Sequence, residues 1–378
     1  VTILQFLSSF SKLLHFEKRT TQDPLKKLTA RALMTLLACS PTAQNYAVKA
    51  GLIDTCVEQL KQTHTQLHLE SVRPSKASHR KKVIKLTVEI LRSALYCNDE
   101  CKVVATDAHL TQALNALWPW LLLDDATMEA VLELLCVYTA NCTTACSSLC
   151  GSGPGLVPGS KSSSTSSLMH SVMKLASALA PDNSIIQNLA FSLLANLVMS
   201  RDCRCLLQKN NFLQAFLSVP VPKAAGVKAT SVSSGWSLLG LWLRLLASLS
   251  FTEDGQQSIL RLTGALELLA DLAPHRRHAL LTLQNLCFCP ANKSHVIAND
   301  KAMKVLLSCL ESKVMETRCM GASAIWALLH NNQRVQTHTH PSTKTFILVL
   351  LWLVFDNQEH MNTYLLECLE NISQLLNT

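Results

Sequence analysis

An apolar helix ending in leucine, then a polar break, then a residue able to take a left-handed turn: this unit recurs along the chain. Leu37 with Gly51, Leu197 with Asn211 and Leu286 with Asp300 are each 14 apart, Leu249 with Gly264 is 15 apart, and Leu95 with Asp107 is a looser copy at 12. Recurrence at this scale constrains the fold more than composition does, because it marks supersecondary units stacked in a row.

Each part of the unit has a physical reason. Ile53, Cys56, Val57 and Leu60 repeat at i, i+3, i+4 and i+7, as do Leu110, Ala113, Leu114, Leu117 and Met303, Leu306, Leu307, Leu310, so each set predicts one apolar stripe on a helix. Glycine reaches positive φ without a Cβ clash, and Asn or Asp reach it at small cost, which fits Gly51, Asn211, Gly264 and the Asn299-Asp300 pair between helices. The breaks Ser40-Pro41-Thr42, Asn98-Asp99-Glu100, Ser200-Arg201-Asp202, Pro290-Ala291-Asn292 and Asn331-Asn332 read as helix stops or N-caps.

A helix pair this short cannot bury its stripe alone, so neighbouring units must stack into a continuous core. The stretch from Ala279 through Asn285, Leu286, Pro290 and Lys293 to His295-Val296-Ile297 and Met303–Leu307 resembles the armadillo repeat, with weaker copies beginning near Ala32, Val88, Ala190, Leu241 and Ala322. The fold expected is all-α, an armadillo-like (ARM/HEAT-type) helical-repeat solenoid.

A solenoid grows in one dimension, so 378 residues require no division into separate cores. Hydrophobic residues at 48% against 16% charged fit helices with broad buried faces. The Gly/Pro/Ser-rich stretch 151–167 cannot bury apolar surface and is expected to be a disordered loop between N-terminal repeats over 1–150 and C-terminal repeats over 168–378. A second loop is expected over 218–235. The chain starts at Val1, with an uncapped apolar helix around Ile3, Leu7, Phe10 and Leu14, as a fragment of a longer protein would, while Thr363 to Leu376 is suited to a terminal capping helix ending near a natural C-terminus at Thr378. No stretch reaches the roughly 20 apolar residues of a membrane helix: Phe346–Phe355 is half that length, and Arg244 interrupts Leu238–Phe251.

Net charge is +8, and much of the excess sits in Arg73, Lys76, Arg80, Lys81 and Lys82, expected as a solvated basic loop leading into a helix at Val83. The same run has the character of an acidic-partner or nuclear-localisation-like patch, with Ser75 and Ser78 open to phosphorylation. No aromatic residue interleaves it, which argues against base stacking and nucleic acid.

The residues carry no catalytic set. Fifteen cysteines, most at apolar helical positions such as Cys39, Cys56, Cys136 and Cys309, suit reduced thiols in cytosol. Cys142, Cys146 and Cys150 at i, i+4 and i+8 offer one helical face, yet with no second pair or placed histidine they read as core rather than as a zinc site. The C-x-C steps Cys203/Cys205 and Cys287/Cys289 lie at helix ends, and His64/His68 lacks the glutamate of a zinc protease helix. His338 and His340 fall in a predicted loop, Asp124-Asp125 cap a helix, and the sequons at Asn141, Asn292 and Asn371 are chance matches. No metal, cofactor, membrane or small-molecule substrate is expected.

The armadillo resemblance implies a groove lined by the helix that ends in Asn-Leu, its asparagine gripping a partner's extended backbone. Asn196 and Asn285 match that position, and Trp326 with His330 matches the Trp-x-x-x-Asn of nuclear-import adaptors with histidine in the asparagine place. These four are the expected partner-binding residues. An adaptor of the catenin or import type would carry such residues in successive repeats, whereas positions near Leu36, Ala94 and Ser248 lack the asparagine. The stretch from His278 to Thr378 is similar to a family of very large armadillo-like proteins of centrioles and ciliary basal bodies. That resemblance implies protein scaffolding in centriole assembly and ciliogenesis, with centriolar or centrosomal proteins as partners.

Overall fold

The computed structural model describes residues 24–69, 74–151, 167–178, 184–219 and 233–329, and every regular element among them is helical. The expected N-terminal helix, most of the 151–167 loop, Asn331-Asn332, the Phe346–Phe355 run and the terminal cap lie outside the described residues.

The helices fall into a three-helix repeat. A leading helix α1 (Pro24–Cys39) is followed by α2 (Pro41–Lys49), α3 (Leu52–Leu69) and α4 (Pro74–Leu95); then α5 (Asp99–Asp107), α6 (Leu110–Leu121) and α7 (Asp125–Thr139); then α8 (Thr143–Ser148), α9 (Leu168–Ser177) and α10 (Ser184–Leu197). Next come α11 (Arg201–Lys209), the 3₁₀ turn η1 (Phe212–Ser218) and α12 (Ser233–Leu249), then α13 (Glu253–Leu260), α14 (Ala265–Leu272) and α15 (Arg277–Phe288). The last described repeat holds the 3₁₀ turn η2 (Pro290–Asn292), α16 (Lys293–Ile297), α17 (Asp300–Cys309) and α18 (Met315–Leu329). Third helices pack on third helices (α1 on α4, α4 on α7, α7 on α10, and separately α12 on α15 and α15 on α18), and first and second helices stack in their own rows. This is the armadillo-like, all-α repeat expected.

The chain divides into two compact units between Leu207 and Gln208. The stretch 151–167 falls within the first of these units. The helices beyond that stretch, α9 and α10, pack against α6 and α7 and therefore belong to the first unit, because a stack is held by stripe burial and not by the composition of its connections. The second expected loop is also shorter than 218–235, since Ser218 closes η1 and Ser233 opens α12.

Turn residues explain the spacing. Gly51, Asn211 and Gly264 have φ of 70°, 49° and 86°. Two expectations are corrected. Asp107 is the last residue of α5, and the left-handed residue is His109 at φ 64°, which lies 14 from Leu95 (109−95) and restores the common spacing. Asp300 is the first residue of α17, where Asn299 at φ −95° caps the helix by accepting from the Ala302 N–H at 2.9 Å, so no left-handed residue is needed. Ser40, Asn98 and Asp124 cap their helices in the same way, at 3.2, 3.1 and 3.1 Å.

The ends of the third helices carry carbonyls without intrahelical partners. A long polar side chain seven residues before the left-handed turn (51−44, 109−102, 211−204) satisfies them in three repeats. Gln44 donates to Ser93 O and Tyr96 O at 3.1 and 2.9 Å, Lys102 to Ala140 O at 2.6 Å, and Arg204 to Val198 O and Met199 O at 2.7 and 3.0 Å. The cationic versions also complement the negative end of the helix dipole. Asn292, read as a helix stop, is wholly buried between Gln256 and Gln257, at 2.8 and 2.6 Å.

Core placement follows the stripes. Ile53, Cys56, Val57, Leu60, Leu110, Leu114 and Leu117 are at most 1% exposed. In α17 the buried set is Ala302, Leu306 and Cys309, with Leu310 just past its end also buried and Met303 and Leu307 half-buried. Cys39 is exposed, against expectation, because it lies two residues past Leu37 on the outward side of the helix end. No described helix is long and apolar enough to cross a membrane.

Candidate functional site: the face of the third helices

In the second unit, α15 and α18 run side by side in constant register. Arg277 pairs with Glu316 (Nε to Oε1, 2.7 Å), Gln284 donates to Ser323 Oγ at 2.6 Å, and the rings of Phe288 and Trp326 sit 6.5 Å apart at 55°. The offsets are 39, 39 and 38 residues (316−277, 323−284, 326−288), so three rungs climb one face. Positions 277, 284 and 288 are spaced 7 and 4 apart, which aligns them along a helix of 3.6 residues per turn. Asn285 turns to the other neighbour, donating from Nδ2 to Ser250 Oγ at 2.9 Å, just past the end of α12.

Phe288 is 41% exposed and Phe251, two residues past Leu249 at the equivalent repeat position, is 63% exposed. Trp326, Gln284 and Asn285 are half-buried. An exposed Phe288 against a half-buried Trp326, at the end of two polar rungs, is a partner-like surface of this unit. At the far end of α15, His278 is held below its ordinary pKa by burial first and then by the Arg244 and Arg277 guanidiniums.

In the first unit Asn196 of α10 makes the matching inter-helix bond, from Nδ2 to Cys136 O at 3.0 Å and Thr139 Oγ1 at 3.3 Å at the end of α7. Arg92 of α4 pairs with Glu133 of α7. Asn196 and Asn285 thus occupy the same place in their repeats, as expected, and each is engaged with the preceding third helix. Trp326 of α18 meets Phe288 of α15, while Asn285 bonds to Ser250 beside the preceding third helix, and His330 lies outside the described residues.

The basic run is not a loop. Helix α4 begins at Pro74, so Lys76, Arg80, Lys81 and Lys82 lie on its first turns, while Arg73 is outside the described residues. Proline suits the first helical position, where its missing N–H is no loss, and so the helix starts nine residues before Val83. Lys81 reaches across to Leu123 O at 3.1 Å and lies 3.9 Å from Asp124 Oδ1, while Lys82 is exposed. The Thr127 hydroxyl, and to a lesser degree the Lys81 and Lys85 charges, hold the Asp124 carboxyl below its usual range.

The cysteines do not share a helical face. Helix α8 spans only Thr143–Ser148, Cys142 is its N-cap and Cys150 lies beyond it. Among the described residues no group of three or more His, Cys, Asp or Glu is placed to hold a metal ion. His64 and His68 meet edge to face at 5.9 Å on α3.

The partners of the predicted residues were not visible in the sequence. Phe288, Gln284 and Arg277 become site residues only through the 38- and 39-residue register that packing sets. The one available signal was Phe251 and Phe288 each standing two positions after the repeat leucine.

Over 384 residues, 96% of this chain, the sequence is 44% identical to human rotatin, and over 383 residues it is 41% identical to mouse rotatin. Along this stretch the chain is a homologue of rotatin. It spans about 17% of the length of either relative. No protein-family model matches the chain. Among solved structures, two engineered proteins share the fold. One has a TM-score of 0.67 at 16% identity, covering 98% of this chain and 78% of that one, and the other has a TM-score of 0.52 at 17% identity, covering 74% and 95%. The rotatin homology and the helical-repeat fold support a scaffolding, protein-interaction role.

Proposed function

We propose that this chain is a non-catalytic scaffold corresponding to the C-terminal region of a rotatin-like protein, and that it binds centriolar or centrosomal proteins in centriole assembly and ciliogenesis. The observation that carries the binding reading is the exposed Phe288 ring packed on Trp326, next to the polar rungs of α15 and α18. Aromatic anchors ringed by polar contacts dominate binding energy in protein interfaces, and a helical-repeat face offers them in fixed register. Rotatin homology and the resemblance to a centriolar family support the cellular setting: cytoplasm and cytoskeleton, at the centrosome, centriole and ciliary basal body. Asn196, Asn285, Trp326 and His330 remain the proposed contacts, with Phe288 added. The helical basic run at Arg80, Lys81 and Lys82 is secondary, because Lys81 is already engaged with the end of α6. No nucleic acid, membrane or small-molecule ligand enters this reading. A catenin- or import-type adaptor is the lesser alternative, because Ala94 and Ser248 stand where a regular asparagine ladder would need an amide.

Imaging the tagged full-length protein against a centriole marker tests the setting, and dispersal through the cytosol would reject it. Capture of centriolar proteins by wild type and by Phe288→Ala tests the surface. Phe288 is exposed, so its loss should leave melting nearly unchanged while recovery falls at least tenfold. Unchanged recovery would remove this face from the site.

A further inference from the structure

Outside the proposed face, an unusual concentration of chemistry lies where α8 meets α11. Cys150 Sγ and Cys203 Sγ are 3.2 Å apart, although 53 residues separate them in sequence. Cys203 is wholly buried and points its thiol at Cys146 O, 3.3 Å away, while Cys150 is half-buried with Met169 Sδ 3.5 Å from its sulfur. The arrangement follows from the repeat. Both residues belong to first helices or their ends in successive repeats, so stacking brings one onto the other, and the left-handed Gly151 at φ 78° turns the chain immediately after Cys150. Neither thiol is used by the proposed binding face.

We propose that Cys150 and Cys203 form a reversible redox latch joining two successive repeats of the first unit. The two sulfurs are already closer than van der Waals contact and have to approach to about 2.05 Å to bond. Cys150 is the solvent-reached partner and Cys203 the resolving one. With a peroxide as oxidant, the Cys150 sulfur attacks one peroxide oxygen and becomes a sulfenic acid as the O–O bond breaks and water leaves. The Cys203 sulfur then attacks the Cys150 sulfur, the S–O bond breaks, and the hydroxyl departs as a second water with the Cys203 proton. Two thiols and one hydrogen peroxide give one disulfide and two waters, and an external thiol reverses the step. Closed, the bond ties the turn after α8 to α11 and encloses the residues between them, which restricts opening of this part of the stack. Cys205 faces the other way: in the C-x-C step of α11, Cys203 is buried and Cys205 exposed.

The test uses the full chain with exposed Cys39, Cys97 and Cys205 changed to serine, treated with graded hydrogen peroxide, blocked with iodoacetamide and digested without reductant. Trypsin releases Cys203 in the short peptide Asp202-Cys203-Arg204, apart from position 205, and tandem mass spectrometry locates its partner. A dominant Cys150–Cys203 cross-link two hydrogens lighter than the reduced pair is expected, with a melting temperature raised by oxidation and returned by dithiothreitol. Cys150→Ser should abolish both changes, and Cys203→Ser should leave Cys150 open to a sulfenic-acid trap such as dimedone. If Cys203→Ser fails to fold, the parent's peptide map alone decides. Cys150 and Cys203 both remaining alkylatable, or Cys150 joining Cys142 or Cys146 instead, would overturn the proposal.

Discussion

Asn285 donates its side-chain amide to Ser250 Oγ, 2.9 Å away and 35 residues earlier in the chain. The bond ties the third helix of one repeat to the end of the third helix before it, and Asn196 repeats the device with two acceptors, Cys136 O and Thr139 Oγ1. A side chain expected to grip a partner therefore also has a role within the stack. Asn196→Ala should lower unfolding free energy by about 1–3 kcal/mol and Asn285→Ala by about 0.5–1.5 kcal/mol, since a lost neutral hydrogen bond costs about 1 kcal/mol and an orphaned partner somewhat more. Chemical denaturation checks both. Equal stability of wild type and Asn196→Ala would mean that the ladder holds nothing.

Gly321 sits where no larger residue fits. A Cβ built there would lie 2.6 Å from Cys309 Cβ and 3.1 Å from Leu306 O, so α17 crosses α18 at backbone distance. Alanine normally favours a helix over glycine by about 1 kcal/mol, yet here overpacking of about 1–3 kcal/mol is expected to win. Gly321→Ala should therefore melt lower than wild type, and adding Cys309→Gly should recover part of the loss by removing the clashing Cβ itself. A stabilised Gly321→Ala protein would show that the two helices separate freely.

Much of this architecture was legible from side-chain periodicity. The stripe at Ile53, Cys56, Val57 and Leu60 is core because helical spacing leaves it no other face, and Gly51, Asn211 and Gly264 turn because few other residues do so at low cost. His109 escaped because histidine has no strong turn signature. The helical start of the basic run escaped because a cluster of lysines reads as solvated in any backbone conformation, and Pro74 was the quieter signal. Asn196 and Asn285 could be placed by motif, but their hydrogen-bond partners could not, since these lie 35 to 60 residues away and depend on how repeats stack.

Lys102 is 3% exposed and donates to Ala140 O at 2.6 Å and to Asp99 Oδ1 at 2.9 Å. A nearly buried ammonium is tolerable only with such partners. Lys102→Met keeps the stem packing and removes the donor, leaving the Ala140 carbonyl at the end of α7 without it. The expected loss is about 1–3 kcal/mol, measured by urea unfolding, and Lys102→Arg should fall between the two. A methionine variant as stable as wild type would show that water satisfies Ala140 equally well.

The last expectation concerns acid. Burial, with the Arg244 and Arg277 charges adding to it, holds His278 neutral below its ordinary pKa. In the unfolded chain the same imidazole takes up a proton near its ordinary value of about 6.5. The unfolded state then binds more protons than the native state, so stability contributed by the neutral ring is full above that pH. It declines as pH falls through the unfolded value toward the lower folded one, and below both it is gone. Other histidines titrate in the same range, so the informative quantity is a difference between variants. Replacing His278 with glutamine, which is never protonated, should flatten the fall in melting temperature between pH 7 and pH 5 relative to wild type. Arg277→Gln should flatten it in part by removing one repelling charge, although it also breaks the pair with Glu316. Parallel pH profiles for wild type and His278→Gln would show that the ring titrates as freely in the fold as in water.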